Sequence, residues 1–270
     1  MIMKIEELAS LIKDGCKLAI PADYSGVAMA VTRELIRQKK KKLHIIGVPT
    51  SGLQSELLIG AGCVSVLESS ALTLGEYNPA SRFSAAIKSG SIKLIDATCP
   101  AIHAGLQASQ KGLPFMPLRG IIGSDILKNH PDWKVIQNPF SQDDDKIVAI
   151  PAIKPDVALF HAPFADREGN VWVGRRRELV HMTQASKTAY VSVEKIVDGN
   201  LLDDETLAAG VLPNLYVGAV AEAPSGCWPL SFWHGEGEDK EHLDHYKAVA
   251  GTQDGFDEYL QQFIFDGEIP

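Results

Sequence analysis

Short apolar runs alternate with stretches of helical periodicity along almost the whole chain, and that alternation limits the available folds more than any other feature. The runs fall at residues 17–21, 43–48, 63–69, 92–97, 115–118, 134–136, 147–151, 157–161, 189–197 and 215–221. Most are rich in β-branched residues and apolar at successive positions, which is the composition of strands covered on both faces. Between them, residues 27–38 set Val27, Val31, Leu35 and Ile36 on one side of a helix and leave Arg33, Glu34 and Arg37 for solvent. Residues 102–110 form a second such helix. Strand and helix in succession predict an α/β fold, a largely parallel β-sheet flanked by helices on both faces. No repeat or low-complexity linker divides the chain, and the polar break at 141–146 reads as a surface turn. Residues 1–270 are therefore read as a single domain. The stretch 239–265 reads as helices with two apolar faces, Leu243 and Tyr246 on one, Phe256, Tyr259, Leu260 and Phe263 on the other. Packing onto this domain or onto a partner explains both equally well.

Charge narrows the partners. With 26 Lys and Arg against 34 Asp and Glu, the formal net charge is −8. Nucleic acid is disfavoured, because phosphate backbones reward basic surfaces; a single phosphorylated ligand is not, since a few amides can hold it. Cys16, Cys63, Cys99 and Cys227 form no C-x-x-C pair and no metal-spaced cluster with His. They read as free thiols of a reducing compartment, with no metal and no tightly bound cofactor. Residues 1–12 mix Lys4, Glu6 and Glu7 with apolar positions, as an amphipathic helix does and a signal peptide does not. No run approaches the ~18–20 apolar residues that span a bilayer. A cytoplasmic protein without a membrane partner is expected. The lysines at 39–42 follow a helix, where its dipole favours cations.

Candidate chemistry lies in the loops after strands, which line the crevice of an open parallel sheet. The loop 22–26 runs directly into a helix, so its amides can point at an anion; Ser25 serves equally well as a helix cap, with Gly26 easing the turn. No G-x-G-x-x-G follows a strand and no G-x-x-x-x-G-K-[ST] occurs, which argues against a dinucleotide fold or a P-loop. Ser51 and Gly52 occupy the loop after the second run. Glu68, Ser69 and Ser70 end the third; Glu68 there reads as a solvated edge carboxylate before it reads as a nucleophile. Tyr77, between Glu76 and Asn78, offers polar groups for a substrate carboxylate. Cys99 opens a helix, where a thiol can be activated, with His103 one turn on. No G-x-S-x-G elbow is present. The densest cluster runs from His161 to Asp166, Gly169 and Asn170. Gly-Asn suits a tight turn, but His161 and Asp166 exceed what a turn needs.

That cluster belongs to an ordered set of segments: VTRELIRQ (31–38) with LHII (43–46), LIGAGCV (58–64), RFSAAIKSGSI (82–92), GLPFMPLRG (112–120), IGSD (122–125), AIPAIKPDVA (149–158), DREGN (166–170), VEKIV (193–197) and AEAPSG (221–226). In their order, across nearly the whole chain, they resemble the A (α) subunit of class I coenzyme A transferases, in the glutaconate CoA-transferase branch. The resemblance implies an α/β sheet fold shared with sugar-phosphate isomerases. It also implies a related B subunit, an A2B2 assembly and an active site between the subunits. A Glu of the B subunit would attack the acyl-CoA carbonyl, giving a mixed anhydride and then a glutamyl-CoA thioester, from which an incoming carboxylate takes the CoA. Oriented donors would stabilise the oxyanions.

The resemblance further implies that Ser25 and Gly26 line the cleft near the acyl or pantetheine end, and that Ser51, Gly52, Ser69 and Tyr77 shape the acid pocket. Cys99 would lie near the thioester. Asp166, Gly169 and Asn170 would form a turn at the subunit interface or cleft. Two departures matter. Members resembling succinyl-CoA:3-oxoacid transferases carry a Gly-Gly-Phe-Gly-type loop where this chain has PADYSG (21–26), which fits the glutaconate branch better. The position of Cys99 holds a Gln in that other branch and an acidic residue in the related hydrolases that open a steroid ring CoA thioester. The alternatives are one chain of such a CoA-thioester hydrolase and a non-enzymatic paralogue. The acyl group and the acceptor acid are not specified by the sequence.

Overall fold

The computed structural model describes residues 1–235 and 237–267. In chain order its elements are β1 (Ile2–Met3), α1 (Ile5–Leu11), β2 (Lys17–Pro21), α2 (Met29–Arg37), β3 (Leu43–Val48), α3 (Leu53–Gly60), β4 (Val64–Ser69), α4 (Ser81–Ser89), β5 (Lys93–Asp96), α5 (Cys99–Gln110), β6 (Phe115–Leu118), α6 (Ile126–Asn129), β7 (Lys134–Gln137) and β8 (Lys146–Pro151). They continue with β9 (Val157–Asp166), β10 (Val171–Trp172), α7 (Arg177–Ala185), β11 (Thr188–Val197), β12 (Val211–Leu212), β13 (Val217–Glu222), α8 (Lys240–Val249) and α9 (Gln253–Leu260). The main sheet runs β1-β13-β11-β9-β2-β3-β4-β5, with β10 and β12 hung antiparallel on β9. Every pairing along the main path is parallel.

The period-2 alternation of a strand assigns side chains to two cores. On β3, Leu43 and Ile45 join the core under α1, α2, α3, α8 and α9, while Ile46 and Val48 join the one under α5 and α7. Helices thus cover both faces, as the doubly apolar runs demand.

Three of the predicted strands lie elsewhere. β6, β7 and β8 form a separate antiparallel sheet in the order β6-β8-β7, packed on α5 through Ala101, Ala104, Val148 and Ile150. The 141–146 break is the turn between β7 and β8. The solvent-facing side predicted for the 27–38 helix also needs correction. Arg33 and Glu34 are buried. Arg33 donates to Trp228 O (2.9 Å) and lies 5.6 Å over the Trp228 ring, and burial pulls its guanidinium down to about 10. The covering segment comes from the far end of the chain. For the same reason the C-terminal faces are resolved in favour of this chain's own core: Tyr246 and Phe256 are fully buried in it.

Candidate functional site

The loops after β2, β3 and β4 stand at the carboxyl edge of the sheet, where a parallel sheet opens its crevice. The segment 230–240 and α8 close over them. They enclose a cavity of about 440 Å³, walled by Asp23, Ser51, Tyr77, Glu238 and Tyr246 among others, within the size range of small-ligand sites.

Asp23 reaches from the β2 loop to the start of α3, where its Oδ2 accepts the Leu53 N–H (3.0 Å). This carboxyl therefore holds a helix N-terminus from outside the helix. The approach requires Gly52: a Cβ there would lie 2.0 Å from Asp23 Oδ2. Asp23 as a residue is only half-buried, but its Oδ1 is closed to solvent and has no partner among the described residues. Burial, against the single backbone donor, pushes the carboxyl up to about 6.

Ser51 donates its N–H to Ala71 O (2.8 Å), and its carbonyl accepts from Thr73 N–H (3.1 Å), lacing the β3 loop to the β4 loop. Its hydroxyl is buried with no partner among the described residues. Across the cavity the Tyr77 hydroxyl donates to Glu238 Oε1 (3.1 Å), and desolvation together with that carboxylate pushes the phenol up to about 12.

The other expected residues have different surroundings. Ser25 does not cap α2, which starts at Met29 after Ala28. It is fully buried and donates to Glu178 Oε1 (2.6 Å). The amide an anion would need is taken, since Ala30 N–H donates to Gly226 O (2.9 Å). Gly26 has φ +83 and sits so close to β9 that a Cβ would meet His161 O at 2.3 Å. Ser69 is buried and donates to Ala71 O (2.8 Å), outside the cavity wall. Cys99 is exposed at the first position of α5, its Sγ 3.1 Å from Ser70 Oγ. Glu68 is neither a solvated edge carboxylate nor a free one. It faces α5 rather than the cavity, 3.0 Å from His44 Nε2 and 3.6 Å from Lys17 Nζ. Burial favours its neutral form, but these two partners outweigh that effect and hold the carboxyl below the usual range.

The 161–170 cluster divides in two. His161 is buried between Ser192 Oγ (2.9 Å) and Glu194 Oε1 (2.7 Å), and Glu194 also accepts the Ser225 N–H (2.8 Å). This series of bonds fastens the turn after β13 to β9 and β11. Asp166 accepts from the amides of Glu168, Asn170 and Leu201 and from Asn170 Nδ2 (2.8–3.0 Å). Asn170 Oδ1 in turn accepts from Asn214 N–H (2.9 Å), while Gly169 turns at φ +91. Asp166, Gly169 and Asn170 thus lock a turn, and they do not wall the cavity. Sequence reasoning passed over Asp23 and Glu238. The available signal was an acid set between two loop glycine positions, Gly26 and Gly52, at neighbouring strand ends.

Residues 2–223 match the family model described as Coenzyme A transferase. The chain belongs to the coenzyme A transferase family. Within that family it is 31% identical over 267 residues to the A subunit of the 3-oxoadipate CoA-transferase of Pseudomonas knackmussii, covering 96% of this chain and 91% of that one. The crystal structure of glutaconate coenzyme A-transferase from Acidaminococcus fermentans superposes with a TM-score of 0.89 at 26% identity, over 99% of this chain and 89% of that one. The cholesterol ring-cleaving hydrolase IpdA subunit of Rhodococcus jostii is 27% identical, over 89% of this chain and 83% of that one. Coenzyme A transferases act on CoA thioesters, so the ligand expected here is a substrate. Among the described residues no helix is long and apolar enough to cross a membrane, and no group of His, Cys, Asp or Glu could hold a metal ion.

Proposed function

We propose that this chain is the A subunit of a heteromeric CoA-transferase that moves CoA from an acyl-CoA to a carboxylic acid, with the nucleophilic Glu supplied by a B subunit in an A2B2 assembly. The observation that carries the reading is the composition of the carboxyl-edge cavity. It offers unpaired polar atoms on Asp23 and Ser51 but no free nucleophile. The strand-end glutamate that could imitate one, Glu68, is held by His44 and Lys17 on another side of the sheet. A wall that binds one reactant and leaves an opening for a partner's carboxylate fits covalent catalysis shared between subunits.

In that scheme the partner's carboxylate displaces CoA thiolate from the acyl-CoA to form an anhydride. The thiolate then attacks the glutamyl carbonyl and releases the first acid. The second acid repeats the sequence in reverse, and the glutamate is regenerated. The similarity to the Pseudomonas knackmussii protein, itself one half of a two-subunit enzyme by name, supports this reading. The hydrolase alternative has less support: where it calls for an acid, this chain has the thiol of Cys99 beside Ser70.

The test is CoA partitioning by the complex recovered with this chain from its own host. New CoA ester formed from an acyl-CoA only when an acceptor acid is present is the expected result. Free CoA accumulating without acceptor would replace the proposal with hydrolysis. The isolated chain is expected to do neither.

A further inference from the structure

The cavity presents two buried polar atoms with no partner among the described residues, Asp23 Oδ1 and Ser51 Oγ. Orphaned polar atoms carry a desolvation cost that a ligand can relieve. Both belong to residues in one wall, and Gly52 between them leaves room for the carboxyl and nothing larger. What they can accept depends on charge. Glu76 and Tyr77 stand on the β4 side, Glu238 and Lys240 on the covering segment, and Tyr246 on α8; Tyr24 flanks Asp23 on its own loop and Cys227 lies near it. Lys240 is the cation of this wall, against Glu76, Glu238 and Asp23.

An ionised Asp23 would therefore repel an incoming carboxylate, and two carboxylates sharing a site cannot both stay ionised. A neutral Asp23 inverts the contact: its O–H donates to the ligand, and the Ser51 hydroxyl supplies a second donor. Oδ2 keeps the Leu53 N–H throughout.

We propose that Asp23 is a proton-coupled binding residue: the acid substrate enters as its carboxylate, Asp23 takes up one proton from solvent as it arrives, and the pair Asp23–Ser51 holds it by donated hydrogen bonds. Burial of the carboxyl makes that proton inexpensive near neutrality. The inference rests on the transferase reading for the identity of the ligand and makes a separate claim about how it is held.

The test is calorimetric titration of the intact complex with acetate, succinate, glutarate and adipate, in buffers of different ionisation enthalpy at about pH 7.5. Uptake of about one proton per bound acid is expected, with affinity falling about tenfold for each pH unit above 6. Asp23→Asn keeps an acceptor for Leu53 N–H and a donor for the ligand. It is expected to bind the acid with no proton uptake and a flat pH profile from about 6 to 8. Wild-type binding without uptake, uptake that survives in Asp23→Asn, or no binding of any of the four acids would each overturn the proposal. CoA transfer is followed on the same samples. Transfer without linked uptake rejects the role of Asp23 alone, whereas acid bound with uptake but no CoA ester formed rejects the transferase reading alone.

Discussion

The carboxyl of Asp23 titrates higher in the fold, about 6, than its ordinary value of 3.8. Its contribution to stability is therefore fully present below pH 3.8 and is lost as pH rises through 6. Above that the ionised group is a liability of up to roughly 3 kcal/mol, since each tenfold change in acidity corresponds to about 1.4 kcal/mol. Asp23→Asn is expected to raise the urea stability of the chain at about pH 8 by roughly 1–3 kcal/mol and to make no such difference near pH 4. Equal effects at both pH values would mean that packing, and not charge, is responsible. A group that costs stability in the resting protein is the kind that functional sites retain. This residue was not legible in the sequence, because its surroundings are set by Gly52 and Leu53, about thirty positions on, and by a cover from the last forty residues. Ser51 and Tyr77 were legible, since strand-end loops line the crevice of any sheet of this class. Ser25 was misread because the amides of α2 find their acceptor on Gly226, far along the chain.

At the scale of elements, the strand positions followed from apolar runs with shifts of a residue or two, because burial on both faces leaves few alternatives. The runs could not say which strands share a sheet. β6, β7 and β8 have the same composition as their neighbours, and only their antiparallel pairing separates them. Helix ends were less legible for a related reason: several are capped from a distance. Glu56 on α3 accepts the Arg82 and Phe83 amides (2.7 and 2.8 Å) at the start of α4, and the Tyr246 hydroxyl of α8 (3.3 Å). One fully buried carboxyl thereby ties three helices. Glu56→Ala would leave these donors without an acceptor and is expected to cost about 2–4 kcal/mol, measured by chemical denaturation. Glu56→Gln, which retains an acceptor, should cost less.

On the scale of the whole molecule, the cavity is assembled from the two ends of the chain. The bond between Tyr77 and Glu238 joins positions 161 apart, and the one between Glu56 and Tyr246 joins positions 190 apart. Contacts of such long sequence separation form late, because loop closure must precede them. During refolding the sheet and its helices should therefore recover their far-ultraviolet signal before the chain can bind an acid. Stopped-flow circular dichroism set beside ligand binding in the same time course would check this, and simultaneous recovery would contradict it. The order of assembly acts as a form of quality control: a chain whose last helices have not yet docked has most of its architecture but no chamber, and it cannot sequester a substrate until it is complete.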